Sequence, residues 1–412
     1  MIIRENPVDL LSSNQTMKLS NRINALSESQ TIAMARKARE LKEKGVDVIS
    51  LSLGEPDFKT PDVIKQAAKK AIDEDFSYYT HVSGYVELRQ AIAKKLKRDN
   101  NLDYTAENIV VSTGAKQSIA NVVLSLINPG DEVLIPAPYW VSYVEIIKLA
   151  EGKPVLIPTT IENDFKPTPE QIKKAITPKT RMLIYSSPCN PTGSVYTKNE
   201  LKAIAEIISP HSDIYIIADE IYEHINFVGK HECMAQFDFI KDRVITVNGV
   251  SKGFAMTGWR VGYIAANAEI AKACDKMQGQ FTSATSSISQ KATHAAMEIL
   301  PVAIEPMKKE FQKRRDLVLK LMKKIPGLKA NTPQGAFYVF PEVSYYFGKS
   351  DSETTIKNGT DLCMYLLDKA HVALVPGAAF GDDNYIRFSY ATSEDRLAEA
   401  LKRMKTALAE LK

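Results

Sequence analysis

Residues 243–253 read RVITVNGVSKG. β-Branched residues fill the first half, and a polar cluster, Asn248-Gly249-Val250-Ser251-Lys252-Gly253, follows at once. This is the form of a short buried strand that ends on an amine. Three other stretches repeat it. IVVS (109–112) runs into Ser112-Thr113-Gly114-Ala115-Lys116, RMLIYSS (181–187) into Ser187-Pro188-Cys189-Asn190-Pro191-Thr192-Gly193, and IYIIAD (214–219) into Asp219-Glu220-Ile221-Tyr222. EVLIP (132–136) and VGYIAA (261–266) are further strands, and helical patterns over 61–74, 85–98, 115–127, 140–150 and 197–208 lie between them. Strands that alternate with helices predict an α/β fold with a mostly parallel sheet covered by helices on both faces. The carboxyl ends of parallel strands share one edge, and ligands bind beyond that edge. The four polar clusters are therefore expected to meet in space.

Outward from this centre the texture changes. Towards the N-terminus, Ile32, Ala35, Ala38 and Leu41 recur at helical spacing over 29–44, and Gly45 stands at the stop. A strand from Val46 to Leu51 and the loop GEPDFKTP follow. Residues 1–20 read as a loosely held arm. Beyond residue 300 a charged helix (302–324) leads to the runs AFYVF, VALVP and YIRFSYA, with helices at 359–370 and 393–411. That is a smaller α+β domain. The expected division is an N-terminal arm and helix (1–52) belonging to the small domain, a large domain (53–300), and the rest of the small domain (301–412).

A chain of 412 residues with 44% apolar and 25% charged residues has the balance of a globular protein large enough for two domains. The net charge of +4 gives no case for nucleic acid or a membrane surface. The first residues lack the apolar core of a signal peptide, and no apolar run approaches a membrane span. Four cysteines, at 189, 233, 274 and 363, form no Cys-x-x-Cys pair, which argues against a disulfide framework or a zinc site and for the reducing cytoplasm. Six scattered histidines show no helical metal spacing, so no metal is expected.

Each cluster alone has an ordinary reading. Ser112 and Thr113 are helix caps, Asp219 is a cap or half of an ion pair, and a lone lysine is a solvated charge. At one sheet edge they read differently. Gly114 opens a helix, whose free amides bind anions. Asp219 ends an apolar strand, where a carboxylate needs a partner, and Tyr222 lies one turn on. A partly buried Lys252 beside cations such as Arg260 becomes a nucleophile towards carbonyls. With the Asn190 amide, the set fits a phosphorylated aromatic aldehyde with a ring nitrogen.

These residues sit in the motifs GEPDF, YYTHVSGYVELR, STGAKQ, PAPYW, SPCNPTG, DEIYEHI, NGVSKGFAMTGWRVGY and RFSYATS. In them the chain resembles the fold-type I pyridoxal-phosphate enzymes, specifically the class I aminotransferases of the aspartate aminotransferase family, from about residue 22 to the C-terminus. The resemblance implies that Lys252 carries pyridoxal 5'-phosphate as a Schiff base. It further implies that Asp219 pairs with the ring nitrogen and that Tyr222 and Asn190 bond the ring's phenolic oxygen. By the same likeness Gly114, Ala115, Lys116, Ser251 and Arg260 hold phosphate, and Trp140 stacks on the ring. Tyr79 would reach the phosphate of a neighbouring subunit, which implies a homodimer with shared sites. Arg387 and the backbone of Gly54, with Asn190 assisting, would grip the α-carboxylate of the amino-acid and 2-oxo-acid substrates.

Within the family, Lys116, supported by hydroxyls at Ser29 and Thr31, implies an acidic side chain and so ping-pong transfer from L-aspartate to 2-oxoglutarate. Ser27-Glu28 stand where many relatives have Lys-Pro, and Ala115 replaces a glycine. Aromatic, prephenate or alanine transamination and C–S lysis remain open alternatives on the same scaffold. A non-enzymatic regulator is disfavoured, because an arm of about twenty residues is too short for a DNA-binding domain.

Overall fold

The computed structural model describes residues 18–28 and 30–412. Its strands in chain order are β1 (Ile49–Ser50), β2 (Ile109–Ser112), β3 (Glu132–Ala137), β4 (Lys153–Pro158), β5 (Thr180–Ser186) and β6 (Tyr215–Asp219). Then come β7 (Val244–Gly249), β8 (Gly262–Ala265), β9 (Tyr338–Val339), β10 (Val372–Ala373), β11 (Val375–Pro376) and β12 (Ile386–Ser389). Seven of them form one sheet in the order β2-β8-β7-β6-β5-β3-β4. β8 runs antiparallel to both neighbours, and every other pairing is parallel.

Strand alternation sorts the core onto two faces. Val110, Ile135, Ile184, Ile217 and Ile245 pack beneath helices Ala115–Leu126, Ser142–Leu149 and Ala268–Phe281. Val111, Leu134, Leu183, Ile216 and Val244 pack on the other face, against helices Asp62–Asp73, Val86–Lys95, Lys198–Ile208 and Ser287–Glu298. The mostly parallel, doubly covered sheet is the architecture expected from the alternating pattern.

β4 was not expected. Its sequence KPVLIP carries two prolines, and only Ile157 is buried. It is an edge strand, where an amide missing on the outer side leaves no ladder bond unmade. The helices Ala268–Phe281 and Ser287–Glu298 also escaped the pattern, because small and polar residues such as Ala271, Cys274, Gln278, Gln290 and Ala292 make up much of their buried faces.

A further core gathers Met34, Ala38, Val48, Ile49 and Leu51 with Phe311, Phe337, Leu366, Phe388 and Leu401. β1 pairs in parallel with β10, and β11, β12 and β9 form a small antiparallel sheet. The strand expected over 46–51 shortens to two residues. The helix expected over 29–44 spans Gln30–Glu43 and buries Met34 and Ala38, whereas Ile32 is 61% exposed. Most of the arm expected over 1–20 lies outside the described residues. The amide of Ser389 donates to Leu51 O at 2.9 Å, which brings β12 beside the 51–54 loop and carries Arg387 to the edge of the large sheet.

Candidate active site

β5, β6 and β7 end together, at Ser186, Asp219 and Gly249. Beyond their ends lies a cavity of about 340 Å³. Its walls include Lys252, Asp219, Tyr222, Asn190, Arg260 and Arg387. The expected cofactor and substrate positions Gly54, Ala115, Lys116, Trp140, Ser251 and Thr31 line it as well. The four polar clusters do converge.

Gly114 has φ +84° and leads into helix Ala115–Leu126, whose first amides have no intrahelical acceptor. A Cβ at Gly114 would collide with the Arg260 guanidinium, and one at Gly262 would collide with the backbone of Ala115. The two glycines let the turn, β8 and a cation close on one point. Arg260 itself holds φ +58°, with its Nη1 donating to Thr257 O at 2.9 Å. Helix amides and a guanidinium aimed at one spot make a cradle for an anion such as phosphate.

Asp219 is 5% exposed. The Tyr143 hydroxyl donates to its Oδ2 at 2.6 Å, and the Ile221 amide donates to its Oδ1 at 3.3 Å. Burial pushes the carboxyl up to about 6, against those two donors. A cation facing it from the cavity would relieve the burial cost. Lys252 Nζ donates to the Gly54 carbonyl. Burial pulls its amine down to about 8; Glu55 opposes this and Arg387 and Arg260 assist. An ammonium so destabilised yields the neutral nucleophile close to neutral pH.

Arg387 is 2% exposed. Its Nη1 donates to Asn190 Oδ1 at 3.0 Å and its Nη2 to Ser52 O at 2.5 Å, while the guanidinium stacks over Tyr338, 4.6 Å from the ring centre. Its Nε is buried without a protein partner. A planar cation held on these sides and open to the cavity suits a carboxylate. Lys116 Nζ lies 5.2 Å from the Trp140 ring centre, and burial, helped by Arg260, lowers its pKa.

These observations can be set beside known proteins. Residues 46–404 match the family described as aminotransferase class I and II. This chain belongs to that family. A bifunctional aspartate aminotransferase and glutamate/aspartate-prephenate aminotransferase of Petunia hybrida is 49% identical over 401 residues, covering 96% of this chain and 84% of the relative. The aspartate aminotransferase of Rhizobium meliloti superposes with a TM-score of 0.93 at 42% identity, covering 96% of this chain and all of that one. That of Thermus thermophilus with maleate gives 0.90 at 39% identity, over 95% and 100%.

In this aminotransferase two site residues were missed by sequence reasoning. Tyr143 supplies the hydrogen bond to Asp219, and Tyr338 shares one with Tyr222, hydroxyl to hydroxyl at 2.7 Å. Both lie in apolar runs, where an aromatic reads as core. Their one available signal was a phenol that needs a partner once buried. Among the described residues, Gly114 and Tyr79 are the expected positions that do not line the cavity. Ser29 lies outside the described residues. Tyr79 is 99% exposed and borders a separate surface hollow with Tyr78 and Ser287, so it does not reach its own chain's site.

Proposed function

We propose that this aminotransferase uses pyridoxal 5'-phosphate to move the amino group of L-aspartate to 2-oxoglutarate by a ping-pong mechanism. One observation carries the reading. A lysine of lowered pKa, a buried carboxylate, an anion cradle and a half-satisfied arginine open into the same 340 Å³ cavity. When bound, pyridoxal phosphate supplies the carbonyl that takes the amine and a ring that accepts the electron pair released at the substrate's α-carbon. The amides of Ala115 and Lys116, with Ser251 and Arg260, would hold its phosphate. Asp219 would keep the ring nitrogen protonated, and Tyr143 keeps Asp219 oriented. Tyr222 and Asn190 would bond the phenolic oxygen, and Trp140 would cover the ring.

Lys252 Nζ would take the substrate's α-proton as base and then give a proton back as acid. Arg387 and Gly54 orient the α-carboxylate. Lys116 and Thr31, which line the same cavity, would meet the acidic side chain. A second reading, prephenate as the amino acceptor, is favoured by the Petunia relative's name and by the apolar face of Ile32 at the mouth of the cavity. Rates with purified protein, L-aspartate, and either 2-oxoglutarate or prephenate test both readings. The first expects turnover with 2-oxoglutarate, and its absence sinks that reading.

Surface Tyr79, beside Tyr78 at 80% exposure, supports a homodimer in which each chain completes the other's phosphate site. The pairing of β1 with β10 and the shared core of Met34, Leu51 and Phe388 support grouping residues 1–52 with 301–412 as the small domain, apart from 53–300. Among the described residues no helix is long and apolar enough to cross a membrane.

Lys116→Ala should lower kcat/KM for aspartate by about ten- to a hundredfold while leaving alanine nearly unchanged. A charge-assisted bond to the distal carboxylate is worth roughly 1.5–3 kcal/mol, and alanine lacks that carboxylate. An equal loss for both donors, at saturating cofactor, would remove Lys116 from the substrate site.

The pH dependence has a definite sign. Lys252 reacts as the neutral amine, so cofactor capture by the cofactor-free protein should slow about tenfold per unit below pH 8 and level off above it. Absorbance stopped flow measures this, and a plateau reached only near pH 10 would show an unperturbed lysine.

A further inference from the structure

We propose that Glu220, His231 and Cys233 form a binding site for a divalent transition-metal ion, Zn²⁺ by its donor set, on the far side of β6 from the catalytic cavity. Glu220 follows Asp219, the last residue of β6, and its amide still donates to Val247 O at 2.8 Å, so the alternation carries one residue past the strand and sends the two side chains to opposite faces. Asp219 lines the cavity; Glu220 does not. Glu220 instead meets the loop that carries His231 and Cys233. The three potential ligand atoms lie within 4.8 Å of one another, and all three residues are buried.

Two pairs have the spacing of ligands around one ion. Cys233 Sγ is 3.3 Å from Glu220 Oε2, and His231 Nε2 is 3.1 Å from the same oxygen. The imidazole and carboxylate are close but misaligned. Neither ring nitrogen of His231 has a hydrogen-bond partner, nor does Glu220 Oε1, although the residues are only 7% and 1% exposed. Buried polar atoms of this kind are paired in folded proteins. A cation among the three would satisfy them through metal bonds.

The charge balance agrees. A dication with one thiolate, one carboxylate and one neutral imidazole is a neutral unit, which burial tolerates. Binding releases the thiol proton to solvent, and no electron is transferred. The neighbouring charges are already matched: Lys95 pairs with Glu223, which also accepts from Asn100 Nδ2 at 2.6 Å and Asn248 Nδ2 at 2.7 Å. Asn100 Nδ2 also approaches Cys233 Sγ at 3.3 Å, the outer contact a coordinated thiolate accepts. An entry path exists, since His231, His224 and Glu223 border a cleft of about 690 Å³ that also touches Leu300 and Lys308. Thiolate, imidazole and carboxylate together favour zinc over magnesium or calcium.

The test uses the cofactor-loaded, chelator-treated protein titrated with Zn²⁺ and with Co²⁺. One tightly held Zn²⁺ per chain is expected. X-ray absorption should show a single sulfur at about 2.3 Å with nitrogen and oxygen at about 2.0–2.2 Å. Thermal midpoint should rise by about 2–4 °C with the metal in excess. Cobalt should give a thiolate charge-transfer band that Cys233→Ser abolishes and His231→Gln weakens. The absorption spectrum of the wild-type protein decides the matter even if a variant fails to fold. A zinc shell without sulfur, a band unchanged in Cys233→Ser, or no stoichiometric binding would overturn the proposal.

Discussion

Replacing Lys252 with alanine should lower kcat/KM for aspartate about 10⁴-fold or more, with the fold intact. Acid–base transfer by a positioned side chain alone contributes about 10²–10⁴-fold, and the variant also loses the amine that captures the cofactor carbonyl. A loss of 10⁴ corresponds to about 5.5 kcal/mol of transition-state stabilisation. Among the described residues the other lysine lining the cavity is Lys116, whose amine stands over Trp140 rather than beside Asp219 and Gly54. The comparison is steady-state kinetics of wild type and variant with circular dichroism as the folding control. Activity within tenfold of wild type would remove Lys252 from the chemistry.

Asp219→Asn carries the second large effect, a loss of about 10²–10³-fold in kcat, the range for removing one preorganised electrostatic group at a reacting centre. The variant has a second signature of opposite sign. Burial raises the Asp219 carboxyl to about 6 in the cofactor-free protein. A carboxyl whose folded pKa exceeds its unfolded value stabilises below the unfolded value, and that contribution is lost as pH rises through 6. At pH 7 to 8 the buried charge is therefore a burden, and the cofactor-free Asn variant should melt above wild type. Loss of turnover with gain of thermal stability separates a functional carboxylate from a structural one. A variant that melts lower and turns over normally would show the structural role.

The large sheet was legible because its strands are buried on both faces, so IVVS, RMLIYSS and RVITVNG read as continuous apolar runs between helices. The site was legible because each strand ends on a polar cluster. Motif resemblance then gave Arg387 and Gly54, which lie far from these clusters in sequence and join them only through β12 and the 51–54 loop. Tyr143 and Tyr338 stayed hidden, since nothing local distinguishes a phenol that packs from one that donates. Edge strand β4 stayed hidden behind its prolines. The proposed Glu220, His231 and Cys233 site has no signal in the sequence, because spacing rules see ligands only when they share a helix or a tight loop. Glu220 directly follows strand β6, and His231 and Cys233 come from a loop eleven to thirteen residues further on.

The central claim, that Lys252 carries the cofactor at the edge of the sheet, has one direct measurement. The protein is loaded with pyridoxal phosphate, reduced with borohydride, digested, and the modified lysine located by mass spectrometry. The account predicts a single reduced adduct on Lys252, absent from Lys252→Ala. An adduct on Lys116 or any other lysine, or none at all, would contradict it.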